Sequence, residues 1–391
     1  SEVAMTAFCQ QYNILYGNLT ITGGNISHVT SLSCLEEVYG EVTITDTALV
    51  TLNGLDNLTS VHGRLKISSN LILLSLRGLE GLINVEGDLA IDNNDELTSL
   101  TGLDSLETIQ GDFSVDYDYT EEQVLISSGS NGDLYETVVS PSSSGLVSLN
   151  GLNSLTNIGG NLNIFNHPHL TNIEGLLSLT SVDGSLNISW NESLTSLSGL
   201  DVLTEVGGSL SIVSNERLSS LSGLESVTSI GGSLSITDNI GLTSLYGFSA
   251  LEDVGGVVSI ISNEGLTSLS GFDSLTTLTG DVSITSNHAL DSLVGLDNWT
   301  SIGGSLYVTS NEGLTSLSGL ENLTSIGGSL SIIDNMSLLS LNGLDNLTSI
   351  GESLSISANE SLISLDGLDG LTSVGANLSI WLNAAMESLT G

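Results

Sequence analysis

LTSLSGLENLTSIGGSLSIIDNMS, from Leu314 to Ser337, is one copy of a unit that recurs every 24 residues through most of the chain. Its apolar residues Leu314, Leu317, Leu320, Leu323, Ile326, Leu330 and Ile332 are separated by three, three, three, three, four and two positions. That spacing fits neither a continuous helix nor one strand of period two. It fits a bent coil. GSLSI is then a short strand with Leu330 and Ile332 inward, LTSL and LTSI are two further extended sides, and Gly319, Gly327 and Gly328 mark bends.

The first inward strand residue of each unit gives the anchors Leu19, Val42, Leu65, Leu89, Phe113, Leu162, Leu186, Leu210, Leu234, Val258, Val282, Leu306, Leu330, Leu354 and Leu378. The steps are 23, 23, 24, 24, 49 and then nine of 24. A lone coil leaves both flanks of its apolar stack exposed, so it must stack on its neighbours, about 4.8 Å apart. The expected fold is an all-β, right-handed parallel β-solenoid of about 15 coils, roughly 70 Å long. It runs continuously over residues 17–391, behind an N-terminal cap at 1–16. Within that cap Ala4, Met5, Phe8, Cys9 and Tyr12 fall at helical spacing, which predicts a short helix from Glu2 to Asn13.

An asparagine stands five positions after the anchor at Asn191, Asn215, Asn239, Asn263, Asn287, Asn311, Asn335, Asn359 and Asn383, with earlier copies at Asn70 and Asn94. A primary amide donates and accepts at once, so such a column can satisfy bend backbone and tie coil to coil. Between Asp118 and Gly145 the repeat is interrupted by an insertion. There QVLISS and LYETVVS flank SGSNGD, which predicts a hairpin projecting from the rod at 119–144.

The recurrent LTSIGGSLSI and the first coil's YGNLTIT resemble the receptor L domain, the leucine-rich solenoid of the epidermal growth factor and insulin receptors and of fungal GPI-anchored cell-wall proteins. Ordinary leucine-rich repeats fit less well, because four positions separate Ile326 from Leu330 and three separate Asn335 from Leu338. The resemblance implies a solenoid at the cell surface, in a family that includes receptors and wall proteins alike.

There are 45 acidic residues against 4 basic ones, a formal charge of −41. Nucleic acid and anionic membranes are excluded as partners on that ground. No apolar run is long enough for a transmembrane segment. The chain begins at Ser1, which implies either a removed signal peptide or a fragment. Cys9 and Cys34 sit about one coil apart, on neighbouring layers at an end that needs capping. That favours a disulfide and an oxidising, extracellular or cell-surface location over two buried thiols. L-domain relatives staple their cap similarly.

Outward carboxylates on adjacent coils, Asp88 beside Asp112 and Asp92 beside Asp116, next to Tyr117, Asp118 and the hairpin, read as a hydrated acidic face, a candidate Ca²⁺ site or a glycosidase-like or lyase-like acid pair. Ca²⁺ is the one cofactor these residues suggest. A second acidic column, Asp201, Glu225, Asp273, Asp297, Glu321, Asp345 and Asp369, reads as a solvated edge or a loose cation-binding comb. Sequons at Asn18, Asn25, Asn57, Asn187, Asn298, Asn322, Asn346 and Asn377 are expected to face solvent and to be glycosylation candidates; those at Asn191, Asn335 and Asn359 belong to the inward ladder. The five histidines are scattered, His167 and His169 lack a ligand set, and no nucleophile stands out.

The expected function is a non-catalytic structural or adhesive surface protein, with a filament or cell-surface sheath as the finer expectation. Self-association would run through an uncapped C-terminal coil around Trp381, Met386 and Leu389, or through the hairpin. The alternative is a receptor-like ectodomain that binds a protein or glycan ligand near the hairpin and the Asp/Tyr patch. Ice binding is third, prompted by rows of outward serines: Ser209 and Ser211, Ser233 and Ser235, Ser329 and Ser331.

Overall fold

The computed structural model describes residues 8–116, 121–127, 134–139 and 145–389, and for 116, 121–127 and 134–139 the backbone alone. The fold is an all-β parallel solenoid. All fifteen anchors head strands of one parallel sheet that runs from Leu19–Gly23 to Leu378–Trp381. Register is kept from coil to coil, with Leu330 opposite Leu354 and Ile332 opposite Ile356. The insertion does not break this sheet, since Phe113–Asp116 pairs directly with Leu162–Phe165.

A second side is built of two-residue strands, the SI of each LTSI. They form a ten-stranded run from Ile14–Leu15 to Asp253–Val254 and a five-stranded run from Thr277–Leu278 to Ser373–Val374. The gap between the runs falls among the coils that carry Phe248, Phe272 and Trp299 in core columns otherwise held mainly by leucine. These three rings are fully buried, and successive centroids lie 5.9 Å apart. The seven apolar residues of the 314–337 unit are all buried, and with their equivalents they form one continuous core.

Two backbone devices turn each coil. The first lies at the residue before the ladder asparagine, which takes the left-handed conformation, as at Ser262 (φ 54), Ser310 (φ 55) and Asp334 (φ 59). This ends the strand and swings the next side chain inward, at a local conformational cost that the ladder's hydrogen bonds offset. The second is a glycine such as Gly319, with φ 111, where an added Cβ would lie 2.1 Å from the Leu293 carbonyl oxygen. No side chain fits there.

At the N-terminus the expected cap helix lies largely outside the described residues. Among those described, the Gln11 and Tyr12 amides donate to the Phe8 carbonyl at 3.0 and 2.9 Å, closing one helical turn. A disulfide joins Cys9 to Cys34. Because it closes a loop across the first two layers, its loss acts mainly on that end of the rod. Reduction is expected to raise amide exchange across residues 8–47 and to leave the coils beyond Asn191 unchanged. Uniform loss of protection along the rod would contradict this. In the insertion, Glu121–Ser127 and Leu134–Val139 pair antiparallel as a separate two-stranded sheet. The turn expected between them lies outside the described residues.

Candidate functional site

Asp88 and Asp112 occupy the outward position just before the anchor, and each gives one carboxylate oxygen to the rod itself. Asp88 Oδ1 accepts the Asp112 amide at 3.0 Å, and Asp112 Oδ1 accepts the Asn161 amide at 2.7 Å and its Nδ2 at 3.1 Å. The pattern continues when the residue changes. Asn161 Oδ1 accepts the Ser185 amide at 2.7 Å, and the hydroxyl oxygens of Ser185 and Ser209 accept the Ser209 and Ser233 amides at 3.0 Å. It resumes through Ser305, Ser329 and Ser353. This outer ladder gives a structural task to part of the expected Ca²⁺ set and to the Ser209, Ser233 and Ser329 hydroxyls on the face considered for ice binding. Tyr117, Asp118 and the side chain of Asp116 lie outside the described residues. Among the described residues, no group of three or more His, Cys, Asp or Glu side chains is placed to hold a metal ion.

Five of the seven carboxylates of the acidic column, all but Asp273 and Asp369, are likewise tied to the chain. The carboxylates of Asp201, Glu225, Asp297, Glu321 and Asp345 each accept the amide of the glycine two residues earlier, at 2.7–3.0 Å. These are turn-closing acceptors for the positive-φ glycines.

The inner ladder is built from the asparagines after the left-handed residue. Asn263 is fully buried; its Oδ1 accepts the Asn239 amide at 3.1 Å, and its Nδ2 donates to the Ile236 carbonyl at 2.8 Å. The same pair of bonds recurs along the column, and the final copy, Asn383, donates to the Ile356 carbonyl at 3.0 Å. Thr47 joins the ladder, its amide and hydroxyl both donating to Asn70 Oδ1. His167 also occupies a ladder position. Its amide donates to Asn191 Oδ1 at 3.1 Å, and its Nε2 lies 3.0 Å from the Val115 carbonyl. A carbonyl only accepts, so Nε2 carries the hydrogen and Nδ1 is left as a buried lone pair with no partner among the described residues. Burial pulls the ring's pKa down to about 4.

Sequence reasoning missed a cluster on the N-terminal coils. The Tyr16 and Tyr39 rings stack at 5.0 Å, and Tyr39 stacks on His62 at 4.0 Å. His62 bridges two carboxylates, with Nδ1 2.9 Å from Glu86 and Nε2 3.4 Å from Glu37. The Glu86 hydrogen bond, aided by Glu37, raises the His62 pKa. Its contribution is therefore present below the ordinary imidazole pKa and is lost as pH rises through the raised value. Tyr16, Tyr39, His62 and Glu86 share one place in the repeat, three before the anchor, and aligning the 23- and 24-residue steps would have exposed the column.

Among the glycosylation candidates, Asn18, Asn25, Asn57, Asn298, Asn322, Asn346 and Asn377 are exposed. Asn187 differs from expectation. It is only half-buried rather than exposed, and its Oδ1 accepts the Ser189 hydroxyl. Asn57, Asn298, Asn322 and Asn346 each donate Nδ2 at 2.7 Å to a carbonyl of the preceding coil.

The Receptor L domain family model matches residues 11–82 and 276–367, one stretch towards each end of the rod. With the solenoid, this shows a receptor L domain-like repeat fold. No curated protein matches the chain. No helix among the described residues is long and apolar enough to cross a membrane.

Proposed function

We propose that this chain is a non-catalytic ectodomain displayed at the cell surface, serving as a stiff structural or adhesive rod. The observation that carries this reading is the Receptor L domain match at both ends of one continuous sheet. Its support is physical as well. The two side-chain ladders spend the repeat's polar groups on coil-to-coil bonding, which suits a spacer or scaffold better than a catalyst. The disulfide fits an oxidising compartment. Treating intact cells that make the protein with a membrane-impermeant protease should remove it. Glycopeptide mapping should find glycans at exposed Asn57, Asn298, Asn322 or Asn346 and none at Asn191, Asn335 or Asn359. Protection in intact cells with cleavage only after lysis would overturn surface display.

Association between rods is the finer reading. Leu378, Trp381 and Leu382 of the last described coil are 60, 56 and 69 % exposed, on a strand with one unpaired edge. A further coil covers such an edge favourably, whether it comes from more of the same polypeptide or from a second copy. Electron microscopy of natively isolated material distinguishes end-to-end filaments from dispersed rods.

A further inference from the structure

The side of the rod built from two-residue strands changes character along its length. In the first run the leading residue of each strand is mixed and often charged, as at Glu37, Glu205 and Asp253. In the last five coils it is always a hydroxyl residue: Thr277, Ser301, Ser325, Ser349 and Ser373. Two positions further on, where the N-terminal coils carry Tyr39, His62 and Glu86, the last four of these coils carry glycine, as the coils at Gly159, Gly207, Gly231 and Gly255 already do. A groove of about 720 Å³ crosses the five coils whose hydroxyl row is unbroken, and no charged residue lines it.

The glycines by themselves need no ligand to explain them. A Cβ at Gly327 or Gly351 would lie 2.2 or 2.0 Å from the carbonyl oxygen of the glycine one coil back, so stacking alone demands them. The hydroxyls are different. The neighbouring Thr300, Thr324, Thr348 and Thr372 hydroxyls each donate to a carbonyl one coil back at 2.9–3.1 Å. The five hydroxyls in the groove have no partner among the described residues. They form a row of donor-acceptor groups at the coil spacing of about 4.8 Å, open to whatever lies in the groove.

We propose that this groove binds one strand of a neutral, linear polysaccharide lying along the rod axis. The idea rests on the surface-display reading and names its ligand class. An extended β-1,4-linked pyranose chain repeats at close to the coil spacing, presents hydroxyls along its edges, and sets its apolar ring faces against the glycine floor. An extended peptide fits poorly, because its rise of about 3.3 Å per residue falls out of step with the hydroxyl row. The strand backbone beneath is also already paired from coil to coil. A polyanion is repelled by a chain of net charge −41.

The test is calorimetric titration of the full chain with the β-1,4-linked cellohexaose, mannohexaose and chitohexaose and, as an anionic control, hexagalacturonate. At least one neutral hexasaccharide should bind, more tightly than its trimer. Ser325→Glu and Ser349→Glu should each weaken it by about tenfold or more, because a carboxylate must be desolvated against the sugar. Ser229→Glu, at the equivalent place outside the groove, should not, and all three variants should keep the wild-type melting temperature. Heat from none of the neutral sugars, equal binding by the Ser325 and Ser349 variants, or equal binding of hexagalacturonate would overturn the proposal. The intact-cell protease result is independent of all of these, so the groove can fail while surface display stands.

Discussion

Replacing Asn263 with alanine is expected to destabilise the central coils by about 4 kcal/mol, through two unsatisfied buried groups and the space left behind. The amide makes bonds in both directions. Its loss strands the Asn239 amide, which donates to Oδ1 at 3.1 Å, and the Ile236 carbonyl, which accepts from Nδ2 at 2.8 Å. The bond from Nδ2 to Asn287 Oδ1 at 3.3 Å is lost as well. Ser262 immediately before it holds a left-handed conformation at φ 54, which loses the bonds that offset its cost. Asn263→Asp should be worse than alanine at neutral pH, since a buried carboxylate accepts from Asn239 but faces the Ile236 and Ile261 carbonyls without a donor. A rod of repeats does not unfold as one cooperative unit, so native-state hydrogen exchange in the coils around residues 236–290 is the measurement. Exchange within about 1 kcal/mol of wild type would show that neighbouring ladder members re-pair across the gap.

The parts of this rod that the sequence discloses are those where a residue type has few alternatives. Inward leucines at steps of three, three, three, three, four and two exclude helix and simple strand, and a buried amide column has little to do except bond coil to coil. The outer ladder was hidden for the opposite reason. Serine before the anchor is also an ordinary solvent-facing choice, and only the coordinates show Ser185 Oγ accepting the Ser209 amide. The same holds for Asp88 and Asp112, in whose carboxylates the sequence suggests cation binding and does not disclose the amide each one accepts through Oδ1. Glu321 and its equivalents read as a charged edge, although the amide each accepts lies only two residues away. The groove over the last five coils was not legible either. It depends on which hydroxyls find partners, and Thr324 and Ser325 are adjacent residues with opposite outcomes.

Acid is expected to weaken the rod at its insertion, and His167 is the cause. This ring stands where most coils have a ladder asparagine, 4 % exposed, with Nε2 bound to the Val115 carbonyl and Nδ1 without a partner among the described residues. Protonation would place a charge there with no acceptor, so the folded pKa is depressed to about 4 from the ordinary 6.5. The sign follows directly. Between those values the unfolded chain binds the proton and the folded chain does not, so stability is complete above pH 6.5 and falls as pH drops towards 4. The loss reaches about 3 kcal/mol there and grows no further once both states are protonated. The many carboxylates act the other way, since their protonation relieves the self-repulsion of a chain at −41. The informative quantity is therefore the difference between wild type and His167→Asn at each pH, in which the carboxylates cancel. Asparagine restores a ladder member that does not titrate. Exchange at Leu162–Phe165 and Asn191 should consequently accelerate below pH 6 in wild type and stay flat in the variant. Parallel acid profiles in the two proteins would mean that His167 is protonated in place, stabilised by a partner on the insertion side.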